Sequence, residues 1–190
     1  MEILAIIPAR KGSKRLPRKN TKLLDGKPLI EYAIDDAINC KYINDIIVTS
    51  DDDEVEKIAK KKNVIFRNRP KELCGDKSDS QSFIDDILTH YGHKWDIIVL
   101  LQPTSPLREV YHINECIEAY INGHFTSVMT VMEISPHTYY PNGAVYVFKD
   151  KIYTDNMGMI LMPNDESIDI NTMLDFNIAS LIMKERRNFE

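Results

Sequence analysis

The run Ile3-Leu4-Ala5-Ile6-Ile7-Pro8 and the loop that leaves it, Ala9-Arg10-Lys11-Gly12-Ser13-Lys14-Arg15-Leu16-Pro17-Arg18-Lys19-Asn20, decide how the chain is read. Ile3 to Ile7 is apolar without interruption and rich in β-branched side chains. This is the pattern of a strand buried on both faces, and such strands belong to parallel sheets covered by helices on both sides. The loop holds six basic residues in the ten positions from Arg10 to Lys19. Open α/β sheets bind ligands at the carboxyl ends of their strands, so the loop stands where a ligand is expected and its charge selects an anion. Gly12-Ser13 allows close approach of backbone N–H donors, which suits a nucleoside triphosphate. A solvated basic loop is the alternative reading of the same residues.

Outward from this stretch the alternation continues. Pro28 to Ile38 carries Leu29, Ile30, Ala33, Ile34, Ala37 and Ile38 on one helical face, with Pro28 suited to the first turn. Asp45 to Ser50 reads as a strand, followed by Asp51, Asp52 and Asp53 as acceptors at the start of a helix from about Asp52 to Lys62. Metal contact is a second reading of that acidic triplet. A short strand at Val64 to Phe66, a helix at Ser80 to Tyr91, a strand at Asp96 to Leu101 and a helix at Glu109 to Asn122 come next. Strands at Ser127 to Met132 and Ala144 to Lys149 and a helix at Thr172 to Arg186 complete one α/β domain over residues 1–190, with a mostly parallel sheet and helices on both faces. Met129, Met132, Met157, Met159 and Met162 read as packing residues, and His90 and His93 as loop residues without metal partners at ligand spacing.

Composition bounds the rest. The 190 residues, 43% hydrophobic and 28% charged, suffice for one sizeable core. A net charge of -5 speaks against a general binder of nucleic acid or anionic membranes. Residues 1–27, however, hold eight basic groups and two acidic ones, so positive charge is concentrated at the start. Cys40, Cys74 and Cys116 are far apart and form no CxxC pair, which disfavours a disulfide framework or a zinc site and fits a reducing cytoplasm. No basic segment precedes Ile3 as in a secretory signal, and runs such as Ile97 to Leu101 fall short of the ~20 residues of a membrane span, so a soluble protein is expected.

The seven glycines, at 12, 26, 75, 92, 123, 143 and 158, include no pair two residues apart, which excludes GxGxxG, and Gly12-Ser13-Lys14 lacks the order of a Walker A loop. Four separated motifs remain: Ile7-Pro8-Ala9-Arg10-Lys11-Gly12-Ser13-Lys14-Arg15-Leu16-Pro17 with Lys19-Asn20; Gln102-Pro103-Thr104-Ser105-Pro106-Leu107-Arg108; Pro141-Asn142-Gly143-Ala144-Val145-Tyr146; and Ser167-Ile168-Asp169-Ile170. In content and order the chain resembles the acylneuraminate cytidylyltransferases, the CMP-sialic acid synthetases. The CMP-Kdo synthetases share the opening loop, but Lys19-Asn20 and the Gln-Pro-Thr-Ser-Pro run resemble the sialic acid branch.

The resemblance implies a single-domain Rossmann-like nucleotidyltransferase fold. It also implies attack by the anomeric hydroxyl of a nonulosonic acid, of sialic, legionaminic or pseudaminic type, on the α-phosphate of CTP, with release of pyrophosphate and magnesium as cofactor. Carried over by motif, Arg10, Lys19 and Asp169 are the catalytic residues. Ala9, Arg10, Gly12, Ser13, Lys19 and Asn20 bind the nucleotide, joined around cytosine and ribose by Arg69, Ser78 and Ser80, which with Asp76 match the family's spacing. Read alone, Arg69-Pro70 is a surface turn and Ser78-Asp79-Ser80 a helix cap. Gln102, a polar amide at the end of an apolar strand, faces the sugar with Asn142, although Asn142-Gly143 by itself reads as an ordinary turn. Asp169 and Asn171 stand where the family has two metal-binding aspartates; the amide oxygen brings no charge to magnesium.

A second departure lies between Ser127–Met132 and the Pro-Asn-Gly motif. The family has there a long excursion that forms the dimer interface and holds the sugar carboxylate, whereas here only Glu133 to Tyr140 joins the two. A monomer or an atypical homodimer is therefore expected, with Arg108, Lys14 or Arg15 as substitutes for the carboxylate clamp. Two other functions fit the residues: a non-catalytic CTP-binding relic of the family, favoured by Asn171, and a CMP-Kdo-type synthetase. No nucleic acid or membrane partner is expected.

Overall fold

The first strand, β1 (Ile3–Pro8), is the centre of the molecule because its side chains alternate between two apolar layers. Ile3, Ala5 and Ile7 face one layer and Leu4 and Ile6 the other, each 1% exposed or less. Burying a side chain of this size contributes about 1.5–3 kcal/mol before conformational entropy is counted. The computed structural model describes residues 1–75 and 78–187.

Along the chain β1 is followed by a small ribbon of β2 (Leu23–Leu24) and β3 (Lys27–Pro28), then α1 (Leu29–Asn39), β4 (Asp45–Ser50), α2 (Asp53–Lys61) and β5 (Ile65–Asn68). Next come α3 (Ser80–Tyr91), β6 (Ile97–Leu101), α4 (Val110–Asn122), β7 (Ser127–Ser135), β8 (Thr138–Phe148), β9 (Met157–Leu161) and α5 (Met173–Arg187). Among the described residues seven strands form one sheet in the order β5-β4-β1-β6-β8-β7-β9. All its pairings are parallel except those of β8, which runs antiparallel to both β6 and β7. Side chains of α1, α2 and α4, such as Ile34, Val55 and Ile117, cover the face of Ile3, Ala5 and Ile7. Phe83, Ile84, Ile87 and Leu88 of α3 cover the face of Leu4 and Ile6. No helix among the described residues is long and apolar enough to cross a membrane.

The helix starts follow from local chemistry. Asp52 caps α2 by accepting from the Glu54 N–H at 3.0 Å, so the acidic triplet opens a helix. Thr172 and Asp175 form a capping box at α5: the Asp175 carboxylate accepts from the Thr172 N–H at 2.7 Å, and Thr172 Oγ1 accepts from the Asp175 N–H at 3.3 Å.

The antiparallel part differs from the expectation. β7 and β8 are longer than the sequence pattern indicates, and the Glu133–Tyr140 connector is the tip of their hairpin, closed at Pro136 and His137, the latter with φ +61°. Asn142-Gly143 is not a turn but a bulge inside β8, where Gly143 takes φ +79° and the register with β7 shifts between Met129 and Val131. The Thr130 hydroxyl fills the gap in the ladder, donating to Asn142 Oδ1 at 2.7 Å and accepting from the Val145 N–H at 3.0 Å. β9 was not legible, and the five methionines singled out in the sequence are not all packing residues. Met129 and Met162 are buried, but Met157 and Met159 stand 40% and 59% exposed on an edge strand.

Replacing Thr130 by Val keeps the shape, takes the hydroxyl acceptor from the buried Val145 N–H and leaves Asn142 Oδ1 with only the Ala144 N–H, so Thr130→Val should cost about 1–3 kcal/mol in urea denaturation, with Thr130→Ser recovering most of it. Burial pushes the Asp175 carboxyl up, but hydrogen bonds from the Asn171 N–H and from the N–H and hydroxyl of Thr172 outweigh it and hold it below the usual carboxylate range. A depressed folded-state pKa stabilises above the unfolded value, about 3.9, and that stability is lost as pH falls through the folded value. Asp175→Asn should therefore lower stability by about 1 kcal/mol at pH 7 in thermal unfolding, with the gap to wild type closing below about pH 4.

Candidate functional site

The connection after β1 runs through α1 to β4 on one side, and that after β6 runs through α4 to the other side of the sheet. The carboxyl ends of β1 and β6 therefore frame a crevice, the place where open α/β sheets hold ligands. A cleft of about 450 Å³ opens there. The loop after β1 is folded by its own backbone: the Ala9 N–H donates to Thr49 O at 2.9 Å, the Lys11 N–H to Asp51 Oδ1 at 2.7 Å and the Ser13 N–H to Lys11 O at 2.9 Å. Asn20, in the 3₁₀ turn Lys19–Thr21, donates from Nδ2 to Arg10 O at 3.0 Å and closes the loop.

The cations of this cleft are held in ways that favour an anionic guest. Lys19 donates to Ile170 O at 2.9 Å. Burial pulls its ammonium below the ordinary lysine range; Asp169 opposes this, and Arg15 and Arg10 add to it. Arg69, 5% exposed, lies over the Phe83 ring with its guanidinium carbon 4.4 Å from the centroid, and donates to Thr49 O at 3.1 Å and Thr49 Oγ1 at 3.4 Å. Burial brings its pKa down to about 10, against the pull of Cys74 and Asp51. Ser78 Oγ lines the same cleft, buried and without a hydrogen-bond partner among the described residues. Buried orphan hydroxyls are uncommon in folded proteins and mark a place for a ligand or water.

A second cleft of about 460 Å³ shares Gln102 with the first and is walled by the β8 bulge, Tyr146 and the segment from Asn164 to Asp169. Glu166 anchors that segment, accepting from the Tyr111 hydroxyl at 2.7 Å and Arg186 Nη2 at 3.1 Å. Asp169 lines the second cleft and Asn171 the first, and they are joined where the clefts meet: Asn171 Nδ2 donates to Asp169 Oδ2 at 2.6 Å, and Asn171 Oδ1 accepts from Arg15 Nη2 at 2.8 Å. Among the described residues no group of three or more His, Cys, Asp or Glu side chains converges as a metal cluster. The donor set of one carboxylate and one amide oxygen suits a hard cation whose other ligands are waters and phosphates.

Most of the residues singled out in the sequence converge. Arg10, Ser13, Lys19, Asn20, Arg69, Ser78, Ser80 and Asn171 line the first cleft, Asn142 and Asp169 the second, and Gln102 both. Ala9, expected at the nucleotide, is buried and lies outside the cleft lining, with its N–H on Thr49 O and its carbonyl accepting from the Ser50 hydroxyl, so it fixes the strand end. Gly12 sits exposed on the loop outside the cleft lining. Asp76 lies outside the described residues. Asn142 lines its cleft, but its side chain is committed to Thr130, the Ala144 N–H, Met162 and Ser167, so it shapes the wall. Arg108 cannot serve as a carboxylate clamp, because its guanidinium is wholly buried against Asp36 and the carbonyls of Gln102 and Ala144. Thr49 and Phe83 were missed as parts of the site: Phe83 carries the same apolar helix signal as its core neighbours, and no local pattern marks Thr49 as the seat of Arg69; Asp51, read as part of a helix start or a metal contact, holds the loop at the Lys11 N–H.

Residues 4–187 match the model of the cytidylyltransferase family. An N-acylneuraminate cytidylyltransferase of Escherichia coli O18:K1:H7 is 30% identical over 97% of this chain, which spans 53% of that protein; the chain is thus about half the length of such relatives. The CMP-N,N'-diacetyllegionaminic acid synthase of Legionella pneumophila is 29% identical, with 97% of both chains covered. That alignment extends over 229 positions against 190 residues here, so the relative carries insertions that this chain lacks. A solved CMP:2-keto-3-deoxy-manno-octonic acid synthetase complexed with CTP shares the fold, with a TM-score of 0.78 at 14% identity over 98% of this chain and 100% of that one. A family match over nearly the whole sequence, on a sheet whose crevice gathers the same motif residues, establishes that the chain belongs to the cytidylyltransferase family.

Proposed function

We propose that the chain transfers CMP from CTP to the anomeric hydroxyl of a nonulosonic acid and releases pyrophosphate. The observation that carries this reading is the pair of adjoining clefts, one rich in cations, meeting at Gln102 and the linked side chains of Asp169 and Asn171. Arg10, Lys14, Arg15 and Lys19 would neutralise the triphosphate, and Arg69 on Phe83, with Ser78 and Ser80, would hold the nucleoside. Anion binding is favoured further because it relieves the desolvated charge on Lys19 and Arg69. Gln102, fixed through its carbonyl by Arg108, would orient the acceptor across the shared wall. Such positioning converts attack on the α-phosphate into an effectively unimolecular step and needs no covalent intermediate.

Asp169 and Asn171 would hold magnesium together with the phosphates, the ion supplying Lewis-acid stabilisation of charge on the transferred group. Asp169 keeps one oxygen turned to Asn171, which limits what these two side chains offer the ion before nucleotide arrives. The two-residue closure of the β7–β8 hairpin leaves no arm to reach a second copy, so the chain would act as a monomer or through a homodimer built on another surface.

Pyrophosphate release from CTP and magnesium, scanned over nonulosonic acids and 2-keto-3-deoxy-manno-octonic acid, tests the function. Release should depend on the acceptor, and Arg10→Ala should abolish CTP binding in calorimetry; CTP binding without release for any acceptor would favour the non-catalytic reading. Restoring a second carboxylate by Asn171→Asp should maintain or raise turnover and lower the magnesium concentration needed for half-maximal rate, whereas a loss of turnover would remove Asn171 from the metal position.

A further inference from the structure

The stretch from Met162 to Thr172, between β9 and α5, belongs to neither helix nor strand, yet it carries Asp169 to the meeting of the clefts. Such a segment keeps its course only through bonds to its surroundings. After Asp169 the course is fixed from the first cleft: the Ile170 N–H donates to Thr104 O at 2.7 Å, and Ile170 O accepts from Lys19 Nζ at 2.9 Å. Before Asp169 it is held by Ser167, bonded to Asn142 at 3.0 Å, and by Glu166, which lines neither cleft.

Glu166 gathers donors from two helices. Its Oε2 accepts from the Tyr111 hydroxyl at 2.7 Å and lies 3.0 Å from His112 Nε2, and its Oε1 accepts from Arg186 Nη2 at 3.1 Å. His112 has no exposed surface, and its Nδ1 accepts from the Glu109 N–H at 3.0 Å. The imidazole proton is therefore on Nε2, facing the carboxylate. The first turn of α4 and the last turn of α5 thus meet on one group that only accepts. A neutral amide in its place would turn an NH2 group on one of these donors, whichever way it lay.

Resting on the reading that Asp169 holds the divalent ion, we propose that Glu166 is a positioning residue for it. Through Tyr111, His112 and Arg186 it sets the course of the segment that delivers Asp169, and so sets how strongly the metal and the nucleotide support one another's binding. Groups bonded directly to a metal ligand alter metal affinity by about 10- to 100-fold; Glu166 acts through the backbone, and about 3- to 10-fold is expected.

The readout is the ratio of CTP affinities in Mn2+ and in EDTA, measured by calorimetry without an acceptor, so that no turnover enters. Mn2+ should tighten CTP binding to the wild type, and Asp169→Asn should remove most of that gain. Glu166→Ala should reduce the gain about 3- to 10-fold and leave the affinity in EDTA unchanged. Glu166→Gln, of the same shape, should reduce it about 2- to 5-fold and serves if the alanine variant does not fold. Ile34→Val, which loosens the core on α1 far from the segment in sequence, should leave the gain intact. A gain that falls with Asp169→Asn but not with either Glu166 variant overturns this inference alone. So does an equal fall in Ile34→Val, which would reduce the effect to lost stability. No gain in the wild type, or a gain indifferent to Asp169→Asn, removes the metal reading and this inference with it.

Discussion

A guanidinium with no exposed surface must place its N–H groups on acceptors, and at Arg108 this requirement ties three parts of the molecule together. Nε and Nη2 reach Asp36 of α1 at 3.2 and 2.9 Å, and Nη1 reaches the carbonyl of Gln102 at the end of β6 and that of Ala144 in β8. Breaking a buried pair of this kind costs about 3–5 kcal/mol, because the charge left behind has no partner. The geometry of the site follows from it. Gln102 stands on the wall between the clefts because its carbonyl is held from below, and β8 leaves its bulge in a fixed direction because Ala144 is held by the same group.

Above this buried cation lie the exposed and half-exposed ones. Of the eight basic residues in 1–27, Arg10, Lys14, Arg15 and Lys19 line the crevice, on a loop folded on Asp51, Thr49 and Asn20, whereas Arg18 and Lys27 pair with Glu54 and Asp35 outside it. Lys19 is the clearest case, and the buried Arg69 joins it from the other side of the crevice; both are held where their charged forms are disfavoured. A net acidic protein thus presents a local field of opposite sign in the crevice at the carboxyl ends of β1 and β6.

Much of this was legible in the sequence. Ile3 to Ile7 implied a central strand, the helical spacing at Phe83, Ile84, Ile87 and Leu88 gave α3, and Asp52 marked the start of α2. These are local signals, set by periodicity and capping. What escaped depends on contacts between distant residues. The antiparallel course of β8 is decided by a hairpin closure that its apolar pattern does not encode, and the bulge at Asn142-Gly143 shows only when Thr130 is seen across the ladder. Arg108 looked available because a guanidinium beside a strand end is ordinarily solvated; Asp36, far away in sequence, draws it inward. Ala9 sits in the motif of the basic loop, and its backbone is bonded to Thr49 and Ser50 at the strand end.

The hairpin has a bearing on how the chain acquires its shape. β7 and β8 are neighbours in sequence and close through Pro136 and His137, so their pairing carries a small loop-closure cost. The pairing of β1 with β6, by contrast, must bring Ile3 to Ile97 across two intervening helix crossovers and a third helix. Non-local pairing of this sort is the slow part of folding. The β7–β8 hairpin is thus expected to pair early, while the crevice at the carboxyl ends of β1 and β6 waits for segments far apart in sequence to meet.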